Sequence, residues 1–462
     1  MAIALDGGFP GESAGKAADP LNFSTLGRRA EAHRGQPTVF TRPNAVGKAA
    51  GPADLAAGPA DFGTGQPPRT DGIGPVEATS ADQSSDLDFN VRLLQESFAH
   101  VMANPQLSME YFYAHMFAHN PEMRPLFPLA MNGVREHVFA ALARFVWTLD
   151  TPAACAEFLQ QTGRDHRKFG VKDKHHQSFF AALQATVAHF SGPGWTADTQ
   201  AAWAKAVEFA DSTMRAASQQ DAIAQPPWWL AEVVGHDLRT STLAVLTIRP
   251  GEPLAYQPGQ YLDVQVARWP RLWRSYSVAN APRPDGLLDL HVRAVPGGMV
   301  SNALVHHVAV GDTLLLGRAR GEMIMPAQVE RDLLCIAGGT GLAPVKAIIE
   351  GVIAATKDAQ RRTITLLFGA RQAAELYDTP ALQVLQSAYR SLSVVPIVSD
   401  EPGFSGLTGT VPDLVATREG IEDCEIFISG PAEMVAETEQ ALAGRVAAEH
   451  VHHDPLSELS AS

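Results

Sequence analysis

Pro258-Gly259-Gln260-Tyr261-Leu262-Asp263-Val264-Gln265-Val266, followed by a basic, tryptophan-bearing loop and then Arg274-Ser275-Tyr276-Ser277, is the part of the chain from which the fold can be read. Residues 260–266 alternate apolar and polar, the period of a half-buried strand, and Arg274–Ser277 reads as the next strand. Side chains two apart on a strand share a face, so Arg274 and Tyr276 point the same way. A guanidinium can grip a phosphate through two parallel hydrogen bonds while a phenol ring covers a flat heterocycle. A hydroxyl at Ser277 reaches that ring's edge only if the strand bends.

The texture around this pair continues as short alternating runs, Leu243–Arg249, Leu288–Val295 and Thr313–Leu316, separated by Gly, Pro and Asp, the pattern of an antiparallel barrel. Within it, Pro296-Gly297-Gly298-Met299-Val300-Ser301-Asn302 places glycines before a helix start, where backbone N–H groups cradle a pyrophosphate. From Asp332 onward strands and helices alternate, predicting a parallel sheet covered by helices. At the end of its first strand lies Gly338-Gly339-Thr340-Gly341-Leu342-Ala343-Pro344, whose glycines let the backbone approach a dinucleotide. Phe368-Gly369-Ala370-Arg371 and Ser429-Gly430-Pro431-Ala432-Glu433-Met434 follow later in the same region.

Upstream, residues 87–217 show helical periodicity throughout, with Asn120-Pro121 closing one helix and Thr162-Gly163 read as interrupting another. Ser218–Pro227 reads as a linker. Residues 1–85 are rich in Gly, Ala, Pro, Asp, Ser and Thr, with no sustained apolar period, and read as a disordered tail. The 462 residues suggest roughly three domains at about 150 each. Thirty-six Lys and Arg against 50 Asp and Glu give a net charge of −14, which disfavours nucleic acid or an anionic membrane as partner. Three scattered cysteines, Cys155, Cys335 and Cys424, support neither a disulfide framework nor a CxxC metal site and point to a cytoplasmic chain. No apolar stretch approaches a membrane span.

Residues 258–261 and 274–277 resemble the PGQ(Y/F) and RxYS flavin motifs of the ferredoxin-NADP reductase superfamily, and residues 297–301 resemble its GGxxS turn. The glycine run at 338–341 and the SGP at 429–431 resemble its NAD(P) domain. In the helical region, Tyr111-Phe112-Tyr113-Ala114-His115-Met116-Phe117-Ala118-His119-Asn120-Pro121-Glu122 and Gly163-Arg164-Asp165-His166-Arg167-Lys168-Phe169-Gly170-Val171 resemble the globin domain of bacterial flavohaemoglobins, in a form nearer the divergent actinobacterial members. The resemblance implies an all-α globin at 86–217, a linker at 218–227, an antiparallel β-barrel FAD domain at 228–327 and an α/β parallel-sheet NAD(P) domain at 328–462.

It further implies haem b, FAD and NAD(P)H as cofactors, with His166 the axial iron ligand, Phe127 wedging the haem and Tyr113 donating to iron-bound oxygen. Arg274, Tyr276, Ser277, Gly297, Gly298, Val300 and Ser301 would hold FAD. Gly338, Gly339, Thr340, Gly341, Arg371, Gly430 and Pro431 would hold the nicotinamide coenzyme. The implied activity is nitric oxide dioxygenase: electrons pass from NAD(P)H through FAD to haem, which with O2 converts nitric oxide to nitrate.

Several positions depart from the family pattern. Val134 stands where a distal glutamine is expected, and His176 and approximately Gln220 where a tyrosine and a glutamate would polarise the proximal histidine. Ser429 replaces the cysteine of CGP, and Leu456 a flavin-stacking aromatic. Histidines 115, 119, 137 and 175 read as surface or pocket-rim residues. Two other readings remain open: an NAD(P)H-driven oxidoreductase with another acceptor such as O2 or a peroxide, and a haem-based oxygen or redox sensor.

Overall fold

The computed structural model describes residues 89–454 apart from 130, 327–330 and 356–361. The tail read at 1–85 and Leu456 lie outside the described residues.

Six helices come first: α1 (Val91–Met102), α2 (Pro105–His119), α3 (Asn132–Thr148), α4 (Pro152–His166), α5 (Asp173–Ser191) and α6 (Ala197–Ala224). Their starts follow capping chemistry. The Asn90 and Asn104 side chains accept the backbone N–H groups of Leu93 and Leu107, and Pro105 sits in the first turn of α2, where its missing N–H costs nothing. Pro121 ends α2 as the sequence predicts, a 3-10 helix spans Pro121–Leu126, and the chain becomes extended at Phe127. The bundle core is built from Leu94, Phe98, Phe112, Met116, Leu183 and Trp203, with the Trp203 indole donating to Ser97 Oγ at 2.9 Å.

Two expectations are corrected here. Thr162-Gly163 does not interrupt a helix, since α4 runs through to His166. Gly163 is instead a point of close approach: a Cβ there would lie 2.2 Å from the Met214 carbonyl oxygen of α6. The segment 218–227 is helical as far as Ala224, because Asp221 is buried on α6 and accepts from Arg167 and Arg318.

A six-stranded antiparallel sheet follows: β1 (Trp229–Thr240), β2 (Leu243–Pro250), β3 (Tyr261–Val266), β4 (Arg274–Ser277), β5 (Leu288–Arg293), α7 (Met299–His306) and β6 (Thr313–Arg320). The strand order is β4-β3-β6-β1-β2-β5. β4 leaves β3 at its end, so that Val278 bridges Leu290 and Ala279 N donates to the Asp289 carbonyl at 2.8 Å, closing the sheet into a barrel. Ser277 itself is still paired with Tyr261 of β3, and the crossing begins at the next residue. β1 had no strand assigned in the sequence because its alternation is broken by a bulge between Val233 and Gly235.

The last sheet is parallel: β7 (Asp332–Gly338), α8 (Leu342–Ala355), β8 (Ile364–Ala370), α9 (Thr379–Ala388), β9 (Leu392–Val398), β10 (Leu407–Thr408), α10 (Val411–Thr417), β11 (Cys424–Ser429), α11 (Ala432–Leu442) and β12 (Val451–His452). Its order is β10-β9-β8-β7-β11-β12, so the chain reverses direction of winding between β7 and β11. Ligands bind such sheets in the crevice at the carboxyl ends of the two strands flanking the reversal. Barrel and parallel sheet are joined by buried polar contacts, among them His291 Nδ1 with the Tyr377 hydroxyl at 2.8 Å and Ala281 N donating to Glu350 Oε2 at 3.0 Å.

Candidate active site

The last residue of α4 is His166, which lines a cavity of about 540 Å³ walled by Phe127, Val134, Leu142, Phe145 and Phe180. Burial, with smaller effects of the neighbouring His176 and Lys168, lowers the imidazole to about 4, so it is neutral and able to ligate a metal. Among the described residues no group of three or more His, Cys, Asp or Glu could hold a metal ion. A single neutral imidazole in an apolar cavity suits an iron whose other ligands come from a macrocycle, and haem therefore fits.

The structure supplies a carboxylate on this side that the sequence reading, which found only Gln220 near the glutamate position, did not identify. Gln220 is exposed on α6. One helical stretch earlier, Asp211 Oδ1 lies 3.0 Å from His176 Nδ1, and its other oxygen is held by Arg215 at 2.8 Å. The His176 ring stands across from His166 with centroids 6.5 Å apart at 76°. Donation from Nδ1 to Asp211 leaves Nε2 of His176 as an acceptor. His175, read as a surface or rim residue, is buried and lines the cavity, with its Nδ1 accepting from Lys172 N at the start of α5. His137 lines the cavity, whereas His115 and His119 stack on each other at the surface, centroids 4.1 Å apart.

Tyr113 is 2 % exposed and does not line the cavity. Phe127 packs edge-on against its ring at 5.6 Å and does line the cavity. The Tyr113 hydroxyl is buried without a hydrogen-bond partner, and burial, opposed by Arg135, raises its pKa. A buried hydroxyl left unpaired costs ~1–3 kcal/mol and is a group that a ligand can satisfy.

The residues after His166 bind the barrel. Lys168 pairs with Asp263 of β3, and its ammonium stands 5.2 Å from the Phe169 ring centroid and 5.7 Å from that of Trp273. Arg320 of β6 bridges Asp165 at 2.8 Å and Asp263 at 2.7 Å. Asp263 also accepts from Ser275 Oγ at 2.8 Å. Burial alone would raise the Asp263 carboxyl, but Lys168 and Arg320 outweigh it and hold it well below the ordinary carboxylate range. Phe169 and Trp273 meet edge to face with centroids 6.4 Å apart. As a result Trp273, Arg274 and Ser275 line the same cavity as His166. No sequence pattern flagged Lys168, Asp263 or Arg320, because the three lie on separate elements.

On β4, Arg274 and Tyr276 are half-buried, with registry partners Val264 and Leu262 on β3. Burial raises the Tyr276 phenol, which stays neutral. Among the described residues Arg274 donates to the Trp273 carbonyl alone, at 2.9 Å. In the turn before α7, Gly297 has φ +76°, and a Cβ on Gly298 would lie 2.5 Å from Ser301 Oγ. Ser301 and Asn302 side chains bond back to Gly298 and Val295, tying the turn. The open donors are therefore the backbone N–H groups in the first turn of α7, which includes Val300. Phosphate fits there.

The glycine run forms a 3-10 turn, Gly339–Gly341, at the mouth of the crevice between β7 and β11. A Cβ on Gly341 would sit 2.1 Å from the Ser429 carbonyl oxygen, and one on Gly430 3.1 Å from Gly338 Cα. Thr340 lies in the same turn, and Pro431 precedes the first residue of α11. These glycines let the two loops pack backbone to backbone where a dinucleotide would lie. Arg371 follows β8, with its backbone N–H held by Glu375 at 3.1 Å and its side chain 75 % exposed.

Three families match in the same order. Residues 110–214 match Globin, 230–323 the oxidoreductase FAD-binding domain and 335–440 the oxidoreductase NAD-binding domain. The NAD(P)H-flavin reductase of Aliivibrio fischeri is 30% identical over 203 residues, 43% of this chain and 84% of that protein. The electron transfer component of the xylene/toluene monooxygenase of Pseudomonas putida is 35% identical over 215 residues, 45% of this chain and 60% of that protein. The chain thus spans only 60% of the length of the xylene/toluene monooxygenase component. The flavohaemoglobin of Malassezia yamatoensis, solved with bound FAD and haem, superposes with a TM-score of 0.64 at 17% identity, covering 79% of this chain and 97% of that one, which establishes a common fold. Among the described residues no helix is long and apolar enough to cross a membrane.

Proposed function

We propose that this chain, which belongs to the globin-headed FAD- and NAD-binding oxidoreductases, is a nitric oxide dioxygenase. The observation that carries the reading is the single cavity walled both by His166 and by Arg274 and Ser275 of the flavin strand. When bound, the nicotinamide supplies a hydride, FAD converts it to single electrons, and haem supplies oxygen binding and its reaction with nitric oxide. His166 offers a neutral nitrogen to the iron, and the Asp211–His176 pair takes the place of the family's tyrosine and glutamate in keeping that nitrogen electron-rich. Tyr113 offers an unpaired hydroxyl proton beside Phe127, while Val134 adds no polar group to the α3 side of the cavity. Arg274 and the first turn of α7 take the flavin's phosphates, and Tyr276 and Ser277 orient its ring. Gly338, Gly339, Thr340, Gly341, Gly430 and Pro431 form the nicotinamide crevice, with Arg371 at its ribose end. Phe169 and Trp273 stand in edge-to-face contact between the iron ligand and β4.

Steady-state nitric oxide consumption by the haem- and FAD-loaded protein with O2 and NAD(P)H tests this. Consumption well above that of free FAD under the same conditions is expected; consumption no faster than free FAD rejects the reading. A second reading, an NAD(P)H-driven reductase with another acceptor, is favoured by the position of Tyr113 outside the cavity lining. It predicts turnover with O2 or a peroxide that nitric oxide does not accelerate.

A further inference from the structure

The segment between β3 and β4 reads Ala267-Arg268-Trp269-Pro270-Arg271-Leu272-Trp273, and neither flavin nor nicotinamide binding gives it a task. Trp269 and Leu272 pack on the barrel core, and Arg271, Leu272 and Trp273 form a wall of the cavity that holds His166. Arg271 has φ +67°, the one non-glycine residue at positive φ among those described. Its N–H donates to Gln265 Oε1 at 2.5 Å, which holds the loop in that shape. Left-handed backbone is sparsely populated for a residue with a Cβ, and persists where surrounding structure enforces it, commonly at ligand sites.

The charges on this wall are unequal. Lys168 is taken by Asp263 and Arg320 by Asp165 and Asp263, while Arg274, anchored on the Trp273 carbonyl, belongs to the flavin strand and is assigned to the flavin's phosphates. The Arg271 guanidinium makes no hydrogen bond or ion pair with any described residue. A strained backbone thus presents an unpaired guanidinium from the reductase side to the cavity of the globin side. The geometry points to Arg271 as the residue that grips a haem propionate, making the β3–β4 loop part of the haem-binding site. Haem b enters an apolar cavity with two carboxylates on one edge, and those need cations at the cavity rim. A guanidinium matches a carboxylate in two parallel hydrogen bonds, which an ammonium does not. The inference rests on haem filling the cavity and not on the nitric oxide chemistry, so loss of nitric oxide consumption leaves it untouched. The other anion within reach is the FAD pyrophosphate, and the test separates the two.

The full chain is loaded with FAD and ferric haem, or with FAD and haem dimethyl ester, which lacks the carboxylate charges. Transfer of each to excess apomyoglobin gives its rate of loss, and FAD content is read after gel filtration. Arg271→Gly relieves the backbone, so apoprotein thermal stability is expected to stay the same or rise. The same variant is expected to lose haem about five- to tenfold faster, the size of one exposed charge-assisted contact. Loss of the dimethyl ester is expected to be equal in wild type and variant, FAD is expected to be retained, and Arg271→Lys to be intermediate. Unchanged haem loss in Arg271→Gly overturns the inference, as does equal acceleration for haem and its ester, or loss of FAD with haem retained.

Discussion

Replacing Asp263 with alanine removes the acceptor that Lys168, Arg320 Nη2 and Ser275 Oγ share between globin and barrel. The consequences differ for the three donors. Arg320 keeps Asp165 at 2.8 Å, and Ser275 is half-buried and can be hydrated. Lys168, with a side chain 10 % exposed, is left as a buried charge without its carboxylate. Breaking a buried pair from one side costs ~3–5 kcal/mol, and the surviving Arg320–Asp165 contact places the expected loss near the lower end, about 3 kcal/mol. The double replacement Asp263→Leu with Lys168→Met leaves neither charge behind and should recover most of the loss, giving a coupling of ~2 kcal/mol or more. Urea denaturation of the full chain, with tryptophan fluorescence and haem absorbance read in parallel, measures both. Because the Asp263 carboxyl is held below its ordinary range, its contribution is fully present above about pH 4 and is lost only as pH falls through the depressed value. The deficit of Asp263→Ala should therefore be constant between pH 5 and 8. A loss under ~1 kcal/mol, or a double variant no better than Asp263→Ala, would show that the pair does not join the two domains.

Other consequences follow from single contacts. Tyr113→Phe should leave the apoprotein at least as stable in thermal unfolding, since its hydroxyl is buried and unpaired, while speeding O2 release from the reduced haem form roughly fivefold, the worth of one hydrogen bond. Gly341→Ala places a methyl 2.1 Å from the Ser429 carbonyl, so NAD(P)H-driven flavin bleaching should slow at least about tenfold while dithionite reduction of the same flavin is unaffected. His291 is buried beside Tyr377 and its pKa lies well below the ordinary 6.5 through burial and the nearby Lys346 and Arg239. The unfolded chain takes up a proton near pH 6.5 that the folded chain refuses, so stability is full above that pH and declines below it; His291→Gln should flatten the decline in a pH series of melting temperatures.

The sequence displayed what is local. The Arg274–Ser277 strand, the turn at Gly297-Gly298, the Gly338–Gly341 run and the order of helical, barrel and parallel-sheet segments are each written in neighbouring residues, by period or by glycine placement. The pairings that connect the domains are not. Asp211 reaches His176 from 35 positions away, and Lys168 finds Asp263 across 95, so no periodicity reports either. Gly163 was misread because a glycine in a helix signals a break as readily as a close helix contact, and the Met214 carbonyl against it is visible only in three dimensions. Arg271 was unreadable for a similar reason, since a positive φ at arginine is imposed by the fold around it.

The central claim is that one chain carries electrons from nicotinamide through the flavin strand to the haem cavity. Anaerobic rapid mixing of the fully loaded protein with NADH and with NADPH, followed at the flavin and haem absorbance bands, tests it most directly. The account predicts that the flavin bleaches first and that haem reduction follows at a rate independent of protein concentration. Haem that stays oxidised beside reduced flavin, or that is reduced at a rate rising with protein concentration, would contradict it.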